Sequence, residues 1–135
     1  MLLIWTENLH VGIEEFDADH RNLIAQANAL HAAIKAGNSH AALALMLEQL
    51  ESHAKGHCAR EEEVMLETGY PELEEHKAEH AWFFSKLQEM KMRFEREPDE
   101  MLSAEVMVFI FDWVGSHINN TDKKYRDHFL AHGIF

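Results

Sequence analysis

The sequence predicts an all-α fold, an up-down-up-down four-helix bundle preceded by an N-terminal arm, and three observations carry that prediction. Apolar residues recur at helical rather than strand spacing almost everywhere after residue 16. The few Gly and Pro residues fall mostly where one helix would give way to the next. The connections left between the periodic stretches are short, which forces sequential helices to lie antiparallel.

Residues 1–16 lack a clear period but contain Trp5, Val11, Ile13 and Phe16, so they are expected to lie as an arm across the bundle. A first helix should run from about Asp17 to Ala36 and stop at Gly37-Asn38, residues that tolerate the left-handed conformation that ends helices. Ser39 is a good N-cap for a second helix reaching Thr68, before Gly69. Tyr70-Pro71 turns the chain. Pro71 suits a first helical position, where its missing N–H costs nothing, and the third helix it opens must end before Pro98. Asp99 can start a fourth helix that reaches roughly Leu130.

A chain of 135 residues with 47% hydrophobic content fits one soluble domain, residues 1–135, with a substantial core. The 24 acidic against 12 basic residues give a formal charge of −12, which disfavours nucleic acid and anionic membrane surfaces as partners. The single cysteine, Cys58, leaves no intrachain disulfide and agrees with a reducing, cytoplasmic setting. The apolar residues Leu2 to Trp5 are too few for a signal-peptide core, and no later stretch has the unbroken apolar length of a membrane span.

The histidines carry the functional signal. His57 and Glu61 are four apart, as are His76 and His80, so each pair shares a helix face, and His20, His117 and Asp122 flank them. These residues continue apolar stripes rather than opposing them. The second helix aligns Leu43, Leu47, Leu50, Ala54, His57 and Glu61, and the third aligns Leu73, His76, His80, Phe83, Leu87, Met90 and Phe94. Phe16, His20, Leu23, Ala27, Leu30 and Ile34 align on the first, and Val106, Ile110, Trp113 and His117 on the fourth. A core-facing Glu needs a partner, and several imidazoles converging on it cannot satisfy one another by hydrogen bonds alone. A metal centre resolves the conflict, and two pairs with flanking ligands suit two ions better than one. Five imidazoles and two carboxylates without thiolate suggest iron, with zinc and manganese open on ligand type alone. Spacing by itself yields decoys: His53 is also four from His57, and His128 four from His132, while His10, His31 and His40 complete no pattern.

The arrangement resembles the hemerythrin family, in particular its single-domain bacterial members, the bacteriohemerythrins. The likeness rests on Ile4-Trp5, Val11-Gly12-Ile13, Asp17-Ala18-Asp19-His20, His57 to Met65, Tyr70-Pro71, His76 to His80, and Trp113 to Asp122. It implies a non-haem di-iron centre in which His76, His80 and His117 cap one iron and His20 and His57 bind the other. It further implies that Glu61, Asp122 and a solvent-derived oxo or hydroxo group bridge the two. The iron held by His20 and His57 is then one ligand short, and the resemblance implies dioxygen as the ligand that takes this position, with Trp113, Val114 and Ile118 lining the pocket. On an ideal α-helix residues five apart stand about 140° apart, so Asp122 should not lie over His117, and Thr121 would sit closer; a local π-type widening is one remedy. Two departures from the family stand out: Cys58 follows His57 where relatives commonly have an aromatic residue, and Val114 stands where they often have Leu. Gly56 costs about 1 kcal/mol relative to Ala inside a helix, which close helix packing would explain.

The reading that follows is a monomeric, reversible oxygen-binding protein, not an enzyme, serving oxygen storage, transport or delivery to an oxygen-requiring enzyme. A di-iron oxidase or peroxidase, a nitric-oxide-handling enzyme, and an oxygen or iron sensor are the alternatives. The sequence shows no motif for an organic substrate pocket or for electron delivery, and no fused output domain.

Overall fold

The computed structural model describes residues 9–96 and 100–135, with side chains in the second stretch from residue 104 onward. The expected start of the arm with Trp5, and the Pro98-Asp99 junction, lie outside the described residues. Four long helices account for most of the remainder: α1 (Glu14–Lys35), α2 (His40–Thr68), α3 (Leu73–Arg96) and α4 (Glu100–Ser116). After α4 the chain passes through a π-helical segment (His117–Thr121) and a 3-10 turn (Asp122–Tyr125) into a short α5 (Arg126–Ala131). There is no strand among the described residues.

The helices close into a ring: α1 packs on α2 and α4, and α3 packs on the same two. The predicted stripes supply the interior, with Phe16, Leu47, Leu50, Phe83, Leu87 and Ile110 each at most 2% exposed. No helix among the described residues is long and apolar enough to cross a membrane.

Besides the break in the expected fourth helix, which is regular only to Ser116 and does not run on to Leu130, the helices follow the local chemistry with three further corrections. Ser39 caps α2 by accepting the Ala42 N–H at 3.2 Å, and Gly69 ends it at φ +68°, where the Tyr70 N–H reaches the Met65 carbonyl. Pro71, however, sits in a turn, and α3 starts only at Leu73. Helix α1 begins at Glu14 instead of Asp17, so Phe16 belongs to the helix and not to the arm. Asp17 lies in the first turn, buried, with its carboxylate turned back onto the approaching chain. It accepts the Val11 N–H at 2.8 Å and the Gly12 N–H at 3.2 Å, with His10 Nε2 at 3.0 Å. Gly12 has φ +85°, and a Cβ there would stand 2.9 Å from Arg126 Nε. The third correction concerns Gly56, whose nearest neighbour is Arg60 of its own helix, 3.4 Å from where a Cβ would be. Packing against another helix is therefore not the reason for that glycine.

Because the Val11 amide is buried, Asp17→Ala should destabilise the protein by about 1–3 kcal/mol, the cost of stranding buried donors. Urea unfolding of both proteins at one pH measures this; unchanged stability would mean that water takes over the carboxylate's role.

Candidate metal centre

Each long helix carries its predicted residues to one level of the bundle. His20 comes from α1, His57 and Glu61 from α2, His76 and His80 from α3, and His117 and Asp122 from the π-helical segment and its end. All seven are buried, and Glu61 shows no exposed surface.

They form two groups that share both carboxylates: His76, His80, His117, Glu61 and Asp122, and His20, His57, Glu61 and Asp122. The sharing is oxygen by oxygen. Glu61 Oε1 faces His76 and His80 at 3.5 and 3.4 Å, while its Oε2 faces His57 and His20 at 3.2 and 3.7 Å. Asp122 Oδ1 faces His117 and His76 at 2.9 and 3.0 Å, and its Oδ2 faces His20 at 3.0 Å. Each carboxylate thus spans two positions, as a bridging ligand must.

The Asp122 problem is solved by the backbone. The Asp122 N–H bonds to the His117 carbonyl, five residues back, so the turn is wider than an α-turn and brings the fifth residue round to the first. Thr121, the alternative on α-helical geometry, points out to Glu79 at 3.0 Å.

Whether these residues fit metal ions can be tested on their nitrogens. His57 Nδ1 lies 2.8 Å from Asp19 and His80 Nδ1 lies 2.7 Å from Glu62, so each ring gives its outer N–H to a carboxylate. Their Nε2 atoms are left with lone pairs directed inward, at 2.9 Å from His20 Nε2 and 3.2 Å from His117 Nε2. At these separations each pair can share a proton in an N–H···N hydrogen bond or turn both lone pairs to a metal ion. Glu61 Oε1, Asp122 Oδ1 and His76 Nε2 also have no hydrogen-bond partner although buried. Imidazole and carboxylate donors with fixed outer hydrogen bonds match two borderline metal ions such as iron.

The whole arrangement coincides with a known pattern. Residues 11–128 match the family model described as the hemerythrin HHE cation binding domain. The chain belongs to the hemerythrin family. It is 34% identical over 131 residues to a bacteriohemerythrin from Stenotrophomonas maltophilia (strain R551-3), covering 97% of this chain and 84% of that one. A myohemerythrin from Theromyzon tessulatum is 29% identical over 122 residues, covering 90% of this chain and 89% of that protein. A crystal structure of a hemerythrin mutant superposes with a TM-score of 0.85 at 25% identity, covering 94% and 96% of the two chains.

A polar pocket lined by Glu72, Glu75, Glu79 and Lys124 touches His76, and a separate, apolar cavity opens onto this hemerythrin centre. Its walls include His20, His57, Glu61, His117 and Asp122 but neither His76 nor His80. The remaining lining is apolar apart from Cys58 and includes Trp113, Val114 and Ile118. The Trp113 ring is sandwiched between His117 at 4.3 Å and Phe83 at 3.9 Å, which fixes the His117 plane. Room inside amounts to about 20 Å³, enough for one water-sized molecule. Cys58 is buried at the wall, and burial pushes its thiol up, so it stays neutral.

Sequence reasoning missed the outer partners. Asp19 and Glu62 adjoin ligand positions in sequence and gave no separate signal, and Tyr125, whose hydroxyl donates to Glu61 Oε2 at 2.6 Å, lies on the 3-10 turn after Asp122. The decoy histidines stay apart: His128 reaches the Thr68 carbonyl at 3.0 Å, His40 packs on Phe94, and His31 packs edge-on against Phe111, away from the centre.

With metal removed, the carboxylates favour the protonated forms of His20, His57 and His76. Burial opposes charge on His57, but Glu61 and Asp19 outweigh it and raise His57 to about 10; burial likewise opposes charge on His76, which Asp122 and Glu61 raise to about 9. Since both values exceed the ordinary 6.5, their stabilisation is fully present below that pH and is lost as pH rises toward 9 and 10. Glu61 and Asp122 are held below their ordinary 4.5 and 3.8 against the opposing effect of burial, so their contribution disappears as the solution is acidified beyond those values. The metal-free protein should therefore melt at falling temperatures from pH 6.5 to 9, whereas the stabilisation added by metal should grow over the same range, because ligands must be deprotonated. Calorimetry with and without chelator checks both slopes; a metal-free melting temperature that climbs across that range would contradict the electrostatic picture.

Proposed function

We propose that this hemerythrin-family chain binds dioxygen reversibly at a non-haem di-iron centre, for oxygen storage, transport or delivery to an oxygen-requiring enzyme. The observation that carries the reading is the apolar cavity, whose walls include His20, His57 and His117 but neither His76 nor His80. In this assignment His76, His80 and His117 would hold one iron and His20 and His57 the other, with Glu61 and Asp122 shared between the two. Two ferrous ions so held supply the pair of electrons on which reversible oxygen binding depends. We further take residues 1–135 as one domain, acting as a cytoplasmic monomer.

The protein's own part is to hold and to exclude. Asp19 and Glu62 keep the His57 and His80 rings turned with their lone pairs inward, and Trp113 does the same for His117 by stacking. Tyr125 fixes the Glu61 bridge; its hydroxyl is pushed well above the usual phenol range by burial and by Glu61 and Asp122, so it donates and does not ionise. Leu50, Ile110, Val114 and Ile118 keep water and anions from the open side. A space of about 20 Å³ suits a diatomic molecule and is too small for an organic substrate, which favours a carrier over an oxidase or peroxidase. Oxygen titration separates the readings: one dioxygen released on evacuation for each bound marks a carrier, and net oxygen consumption with a reductant marks an enzyme.

Glu61→Ala removes a bridge and leaves cationic charge uncompensated, so it should lower iron content well below two per chain, whereas His53→Ala should retain both ions. Metal analysis of the purified variants decides; a fully loaded Glu61→Ala protein would sink the ligand assignment.

Val114 is one of the apolar residues of the cavity wall and is one methylene smaller than Leu. Val114→Leu adds one methylene, worth about 0.8 kcal/mol where it packs, and takes up space a water would use. Iron content should stay unchanged while reversible oxygen uptake is lost more slowly with time at matched pH and chloride. An equal or faster loss would remove Val114 from the role of gate.

A further inference from the structure

The two imidazoles anchored by outer carboxylates are not anchored alike. Asp19 takes the His57 Nδ1 at 2.8 Å through Oδ2, and the same oxygen receives the Arg60 guanidinium at 2.7 Å. Glu62 takes the His80 Nδ1 at 2.7 Å, and among the described residues no lysine or arginine lies within ion-pair distance of it. One ring therefore leans on a neutralised carboxylate and the other on a full anion. Arg60 stands three residues after His57 on α2 and reaches across to α1, with its Nε 3.6 Å from Glu15.

An outer carboxylate draws on the N–H of a ligating imidazole and makes the inner nitrogen a stronger donor. A cation on the accepting oxygen competes for the same lone pairs and weakens that pull. His57 is on this account the weaker donor of the two, and His80 the stronger. We propose that Arg60 is a positioning residue that acts through Asp19 to limit electron donation by His57, keeping the iron on the open side less easily oxidised than its neighbour. The inference rests on the assignment of His57 to the open iron given above. Its consequence is functional: a carrier must release dioxygen with its ferrous ions intact, and weaker donation at the open iron favours release over oxidation.

The test is anaerobic redox titration and Mössbauer spectroscopy of iron-57-loaded protein, with metal analysis of every sample. Arg60→Gln, which leaves a neutral amide at the surface, should keep two irons per chain. It should lower the midpoint potential of one of the two iron couples, shift one of the two Mössbauer subspectra, and speed the loss of reversible oxygen uptake by up to about tenfold, the lower end of what outer partners of metal ligands contribute. Arg60→Lys should restore the potential, since it returns the charge. Glu62→Gln should move the potential upward, the opposite sign. In an Asp19→Asn background the Arg60→Gln shift should vanish, because the residue that relays it no longer carries charge. A shift of the same size in that background would show that Arg60 acts only as a surface charge and would overturn the proposal. So would unchanged potentials, or loss of iron that Lys does not rescue, which marks a structural role. A wild-type chain holding fewer than two irons is a different failure, that of the di-iron reading beneath.

Discussion

Everything in this bundle is arranged around one electrostatic conflict, the burial of two carboxylates and five imidazoles at a single level of a helical interior. Isolated charges there are strongly disfavoured, so the groups must be paired, protonated or bound to cations. Without metal the neighbouring carboxylates favour protonation of His20, His57 and His76. With metal the same positions hold cations that match inward lone pairs which no hydrogen bond satisfies. The four helices are joined through this level, because α1, α2, α3 and the end of α4 each contribute to it.

The backbone yields at one place to meet that demand. An α-helix continued through His117 would turn Asp122 away from the centre, and the widened segment spends one regular turn to bring it back. The 3-10 turn that follows places Tyr125 below Glu61, so the same irregularity supplies a second bridging carboxylate and a proton donor for the first. Irregular geometry is concentrated where the chemistry is.

Asymmetry around a symmetric-looking ligand set is what gives the site direction. The apolar cavity is bordered by both histidines of the two-histidine group but by His117 alone of the three-histidine group. The outer partners differ too, with Arg60 paired to Asp19 behind His57 and, among the described residues, no lysine or arginine paired to Glu62 behind His80. On the two proposals above, access and electron donation are set by different residues, Val114 and its neighbours for one and Asp19 with Arg60 for the other.

What the sequence by itself determined was whatever helical periodicity and residue chemistry encode locally. The stripes on α2 and α3 placed His57, Glu61, His76 and His80 in the core, because residues four apart share a face. Ser39 and Gly69 marked the ends of α2, since capping depends on a hydroxyl and on a left-handed residue. Resemblance to a family supplied the pairing of ligands with metals, which periodicity does not contain. Only the tertiary structure decided how oxygen atoms divide between the two groups, that Asp122 returns through a π-turn, and that Asp19, Glu62 and Tyr125 stand behind the ligands. It also decided that Asp17 holds the entering chain rather than merely opening a helix. These are contacts between residues far apart in sequence, or departures from regular geometry that long-range contacts stabilise, and no local pattern records them.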